Sequence, residues 1–244
     1  MTLRDRPYLI QASMRPGAEV DADAYPFAIP AVRDLSKIEF HPHVTFLVGE
    51  NGSGKSTVLE ALALALGFGP EGGTKNVRFE TTRSVSPLHE ALRLVRGVPK
   101  PSDGYFLRAE SLFNVATYMD DVGYLGGYGG KSLHARSHGE AFMSILIDKL
   151  RGDGIYLLDE PEAALSPIRQ LAALRAIHDL VHQHSQFIIA THSPILLSYP
   201  GAKIIEFGAW GIRETSFEEL EHYSVTRDFL NHYPKRLKDL LEDP

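Results

Sequence analysis

Residues Val44–Thr57 read VTFLVGENGSGKST, an apolar run that breaks into a glycine-rich turn carrying a lysine and three hydroxyls. Val44 to Val48 is apolar except for Thr45, which suits a strand buried on both faces. From Ser56 to Leu66 the helix formers Ala and Leu dominate, and Gly67 stands where a C-cap would close the helix. Gly49 to Thr57 satisfies G-x-x-x-x-G-K-[ST] in the strand, loop, helix order that gives this pattern its mechanism. Its glycines let backbone amides curl around phosphate oxygens, and the helix start adds partial positive charge. Lys55 is expected to reach the β- and γ-phosphates and Ser56 to ligate magnesium. Asn51, Gly52, Ser53, Gly54 and Thr57 complete the expected cradle. A flexible turn with no ligand would have no need of a lysine and a hydroxyl at this spacing.

Outward from this loop the chain alternates short apolar runs with helical patterns, which predicts an α/β domain with a mainly parallel sheet. Ile155–Leu158 and Phe187–Ala190 read as buried strands. Leu171, Leu174, Ile177 and Val181 recur between them at helical spacing, as in a crossover helix packed on the sheet. Residues 204–207 and 211–215 read as a hairpin around Ala209 and Trp210, and the tail from Val225 reads as helical. Pro7 to Phe40 reads as antiparallel β-pieces broken by Pro16, Pro26 and Pro30. From Pro87 to Leu150 the patterns are mostly helical around one strand at Tyr105–Arg108. One domain over 1–244 is expected, with subdomains at 1–86 (nucleotide-binding core and antiparallel strands), 87–150 (inserted helical part) and 151–244.

Composition narrows the class of function. Of the 244 residues 43% are hydrophobic and 23% charged, ordinary globular usage that indicates neither disorder nor a fibre. MTLRDRPYLI at the start lacks the apolar core of a secretory signal, and the apolar run Ala61–Leu66 is far too short to span a bilayer. With no cysteine, disulfides and thiolate metal sites are excluded. Cytoplasmic location and no membrane insertion are the expectations. A net charge of -6 gives no support to a nucleic-acid partner, which would usually show as a basic excess.

A second chemical element is Ile155-Tyr-Leu-Leu-Asp-Glu-Pro161, a strand that delivers two carboxylates at its C-terminal end, where open α/β sheets bind ligands. Asp159 suits magnesium and Glu160 suits orienting or deprotonating a water. Two acids before a proline could otherwise be a solvated turn; a phosphate loop in the same chain favours the catalytic reading.

With these motifs in hand, the chain resembles the ABC-type ATPases along nearly its whole length. The resemblance implies a signature at Ser137-His-Gly-Glu140, the pair Asp159-Glu160, a following loop at Ala164-Leu-Ser166, and His192 in Thr-His-Ser-Pro. It implies ATP and Mg2+ as ligands, His192 as a γ-phosphate sensor, and Ser137 and Gly139 as contacts to a γ-phosphate across an ATP-dependent head-to-tail homodimer. Transporter subunits read Leu-Ser-Gly-Gly-Gln where this chain has Arg136-Ser-His-Gly-Glu140, so the similarity runs closer to soluble SMC, RecF and OLD-type relatives. Nearer still is the small stand-alone bacterial "predicted ATPase" group. Without any family, Ser137-x-x-Glu140 is also a helix capping box, a reading compatible with phosphate contact. Alternatives are a transporter subunit, a DNA-linked switch and a small-molecule P-loop kinase.

Other positions stay open at this level. Glu110 takes the nearest place to the family's glutamine loop, and Tyr25 or Phe27 could stack on adenine, each equally readable as surface or core. His178, His182 and His184 read as surface or packing histidines, since zinc needs three or four converging ligands. The glycine-rich stretch Gly123–Lys131 is either a surface loop or a segment ordered on dimer closure.

Overall fold

A computed structural model of the protein describes residues 7–33, 35–75, 85–121 and 133–242. Strand β1 (Leu9–Met14) pairs antiparallel with the two-residue β2 (Ile38–Glu39), across the short helix α1 (Pro30–Arg33). Next come β3 (Val44–Gly49), α2 (Lys55–Leu66), the one-turn α3 (Leu88–Ala91) and β4 (Leu92–Arg96). β4 joins the other edge of β1, giving a small antiparallel sheet in the order β2-β1-β4.

The main sheet continues through β5 (Asp103–Arg108), α4 (Leu112–Asp121), α5 (His138–Ser144) and β6 (Gly154–Asp159). It ends with α6 (Pro167–His182), β7 (Gln186–Ala190), α7 (Pro194–Leu197), the hairpin β8 (Lys203–Gly208) and β9 (Gly211–Thr215), and α8 (Glu221–Leu241). Its six strands run β5-β6-β7-β3-β8-β9, parallel except for the β8–β9 pair.

Both faces of this sheet are buried along β3, β5, β6 and β7, which is why those strands carry apolar runs in place of alternating ones. Val44, Phe46 and Val48 point into one core with Tyr105, Leu107, Tyr156, Leu158 and Ile189, beneath α4 to α6. Leu47, Phe106, Leu157, Ile188 and Phe207 point into the other, where α2 contributes Val58, Leu59 and Leu62 and the small sheet contributes Leu9 and Leu92. Successive side chains of one strand thus feed two layers.

Three expectations need correction, and a fourth, the helical tail, holds with an earlier start and a kink. Leu92–Arg96, inside the stretch read as helical, is a strand, because Leu92 packs inward while Arg93 and Arg96 face out and β1 offers an open edge. Leu171 is 58% exposed; α6 buries Gln170, Ala173, Ile177 and Leu180. The stripe is rotated because the Gln170 amide is satisfied inside, donating to Leu165 O at 3.0 Å and accepting from Ser193 Oγ. Pro7 to Phe40 holds only β1 and β2 as strands, with turns and α1 between them. The tail helix begins at Glu221 and kinks at His232, two residues before Pro234, whose ring removes a helical N–H.

Candidate active site

Strand register brings the chemistry to one edge. Arg108 stands opposite Asp159, Asp159 opposite Ala190, and Ala190 opposite Leu47. The C-terminal ends of β5, β6, β7 and β3 are therefore level. Since β7 lies between β3 and β6, the residues leaving it, Thr191 and His192, emerge between the phosphate loop and the Asp-Glu pair.

The loop itself depends on glycine where the sequence supplies it. Gly54 holds φ +99° at the helix start, and a Cβ on Gly49 would sit 2.3 Å from Phe207 O. Lys55 is buried; its Nζ donates to Gly49 O at 2.8 Å and to Glu50 O at 2.9 Å, gripping the turn from inside. Burial pulls its pKa down, and Glu160, Asp159 and Glu162 act against that. Ser53 Oγ is buried in the loop with no hydrogen-bond partner among the described residues.

Ser56 Oγ donates to Asp159 Oδ1 at 2.8 Å, so the two residues expected to hold magnesium are already in contact. Burial pushes the Asp159 carboxyl up to about 6, against the Ser56 hydrogen bond and the Arg108 charge. A desolvated carboxylate beside a hydroxyl, at the mouth of an amide-lined turn with an unsatisfied serine, fits a hard cation and polyphosphate.

Glu160 has φ 48° and ψ 53°, a left-handed conformation that costs a non-glycine residue about 1–3 kcal/mol. It is held there by its N–H donating to Ala190 O at 2.9 Å. This turns the side chain out of the strand direction, leaving Oε1 3.8 Å from His192 Nε2. Glu162, which sequence reasoning passed over, accepts from the His192 N–H and from Thr191 Oγ1, tying the end of β7 to the carboxylate turn. The hint was its place two residues after Glu160. His192 is kept neutral: burial first, then the Lys55 and His222 charges, lower its pKa to about 4.

The capped start of α5 has both halves of its box. Ser137 Oγ accepts from Glu140 N, and Ser137 N donates to Glu140 Oε2 at 2.9 Å. Arg169 ties this ledge to α6, donating to Ser137 Oγ at 3.3 Å with Nη2 3.5 Å from Glu140 Oε1. Gly139 is buried so tightly that a Cβ would lie 2.7 Å from Ala164 O. Ser137 and Glu140 face solvent, and their hydrogen bonds run to each other and to Arg169. Ser56, Glu110, His138, Asp159, Glu160 and Ala164 line one cleft.

Arg108, also missed, closes that cleft, with Nη1 donating to Glu60 and Nε 3.6 Å from Asp159 Oδ2. Its signal was a lone cation ending an apolar strand. Of the two aromatic candidates, Phe27 is core while Tyr25 is 66% exposed with its hydroxyl 3.2 Å from Thr57 Oγ1. Of the three histidines, His178 meets the Tyr199 hydroxyl and His182 meets the His178 carbonyl. Gly123–Lys131 lies outside the described residues.

Comparison with known proteins agrees with this layout. A family model described as "AAA domain" matches residues 27–92, and one described as "AAA domain, putative AbiEii toxin, Type IV TA system" matches residues 141–198. The chain is 27% identical over 230 residues to the energy-coupling factor transporter ATP-binding protein EcfA2 of Methanospirillum hungatei, a match covering 81% of this chain and 55% of that protein. It is 24% identical over 237 residues to the beta-(1-->2)glucan export ATP-binding/permease protein NdvA of Rhodopseudomonas palustris, covering 85% of this chain and 39% of the relative. The chain thus spans about half or less of these relatives. Among solved structures, the SMC head domain from Thermotoga maritima superposes with a TM-score of 0.46 at 16% identity, over 85% of this chain and 98% of that one. The phosphate loop lies in the first matched stretch and the Asp-Glu strand with its following histidine in the second, and these matches support a P-loop ATPase of ABC type.

Proposed function

We propose that this chain binds Mg-ATP in the cleft between the phosphate loop and the Asp159-Glu160 strand end and hydrolyses it. The observation that carries the reading is the 2.8 Å Ser56–Asp159 contact, which joins two motifs 103 residues apart at the loop mouth. Loop amides and Lys55 hold the phosphates, and Tyr25 offers an exposed ring beside Thr57 for the base. Magnesium, held by Ser56 and Asp159, would neutralise charge on the phosphate oxygens. Glu160, turned toward the cleft, orients the attacking water and accepts its proton; His192 contacts the terminal phosphate. Ser137, exposed at the capped start of α5, and the backbone of Gly139 behind it meet the nucleotide of a second copy in a head-to-tail dimer, as in a cytoplasmic ATPase of the SMC, RecF and OLD-like branch.

A Glu160→Gln protein should bind Mg-ATP with unchanged affinity, lose turnover about 10²–10⁴-fold, and elute as a dimer only when ATP is present. A monomer at saturating Mg-ATP would remove the dimer from the reading. Rapid turnover by this variant would remove Glu160 as base.

The names of the curated relatives favour a second reading, an ATP-binding subunit working with a membrane partner. Among the described residues no helix is long and apolar enough to cross a membrane, so such a role needs another protein. The Ser-His-Gly-Glu signature weighs toward the first reading. The partner retained by Glu160→Gln with ATP separates the two: a membrane protein for one, a second copy or DNA for the other. DNA retention should weaken steeply with salt.

A further inference from the structure

His192 sits in a three-residue link between β7 and α7, where an imidazole held by nothing else could turn either ring nitrogen toward Glu160. Two contacts define its ring. Nε2 is buried, has no hydrogen-bond partner among the described residues, and lies 3.8 Å from Glu160 Oε1. Nδ1 is 3.1 Å from Nε2 of His222, the second residue of α8.

We propose that His222 is a positioning residue for hydrolysis: its Nε2–H donates to His192 Nδ1 and so fixes His192 as the tautomer whose Nε2 carries the proton toward Glu160 and the terminal phosphate. This rests on the reading of His192 as a phosphate contact. A neutral imidazole has one N–H. On the Nε2 side the group it meets is a carboxylate, and phosphate oxygens there would likewise only accept. The proton therefore belongs on Nε2, Nδ1 is bare, and the nitrogen facing it must donate. The reverse arrangement would aim a lone pair at the Glu160 carboxylate. A doubly protonated ring is disfavoured by burial and by the Lys55 charge, which also lower the His222 pKa.

The donor is firmly mounted although α8 buries none of its own residues. Leu220, just before it, is fully buried, Tyr223 N donates to Leu220 O at 3.1 Å, and the Tyr223 ring packs on Phe217 at 4.4 Å. The backbone of His192 is fixed separately by Glu162. One carboxylate sets where the residue is, and one imidazole sets which way its ring faces and where its proton lies.

The test uses the full chain with Mg-ATP and histidine labelled with 15N, the His192 signals being assigned by their loss in His192→Asn. In the parent, His192 should carry its proton on Nε2. His222→Leu should lower kcat about fivefold with KM within about twofold, the loss of one hydrogen bond, and should blur the tautomer. His222→Gln, whose amide N–H occupies the place of Nε2–H, should restore both. A His222→Leu protein that folds and turns over like the parent, or a parent His192 protonated on Nδ1, overturns the proposal while leaving the phosphate reading intact. Full turnover by His192→Asn, or no hydrolysis by the parent, removes the phosphate reading and the proposal with it.

Discussion

The sheet edge around Lys55 and Asp159 and the capped helix start at Ser137 both present polar groups for binding, but their relations to solvent are opposite. At the sheet edge Lys55 and Asp159 are buried, and each spends its hydrogen bonds inside the chain, on loop carbonyls and on Ser56. At the helix start Ser137 and Glu140 are exposed and are steadied by a half-exposed Arg169. Buried polar groups have strong, fixed interactions and a large penalty when one partner is removed; exposed ones are screened and cheap to lose. Damage at the two places should therefore read out differently.

Lys55→Ala should have the largest effect. It removes a charge-assisted hydrogen-bond donor from a buried loop, worth about 10–100-fold in Mg-ATP affinity by calorimetry, with turnover lost in proportion. Unchanged affinity would break the comparison at its stronger end, because the loop would then hold no phosphate. Gly139→Ala comes next. A Cβ there meets Arg169 Nη1 at 2.4 Å and Ala164 O at 2.7 Å. The arginine end can swing aside but the carbonyl cannot, so about 1–3 kcal/mol of stability should go, seen as a lower Tm. Mg-ATP affinity of the monomer should change far less than in Lys55→Ala, since Gly139 packs on Ala164 and Arg169 and not on the loop that holds the phosphates.

The smallest effect is a pH slope confined to the buried edge, measured with a metal chelator present. His192 has its pKa depressed from 6.5 to about 4, so the unfolded chain binds more protons in that window and its contribution to stability is lost as pH falls through it. Asp159 is raised from 3.8 to about 6, so its contribution has the opposite sign and grows as pH falls from 6 toward 3.8. The two offset in the parent. His192→Asn should unmask Asp159, its stability relative to the parent rising as pH is lowered from 6.5 to 4. A pH-independent difference between the two proteins would mean that His192 is not held neutral by its surroundings.

Local order was enough to read a good part of this protein. Gly49 to Thr57, the apolar strands at 44–48, 155–158 and 187–190, and the hairpin after residue 203 declare themselves because each is specified by neighbours in the chain: steric freedom of glycine, a capping hydroxyl, a run too apolar for solvent. What only the tertiary structure decided is which side chains face one another across strands. The rotated stripe of α6 follows from Gln170 finding Leu165 and Ser193, and β4 exists because β1 has an edge for it. Arg108, Glu162 and His222 enter the site through contacts 30 or more residues distant along the chain. Periodicity reports whether a residue faces inward; the partner it meets there is set by strand order and register, which bring distant segments together only once the sheet has formed.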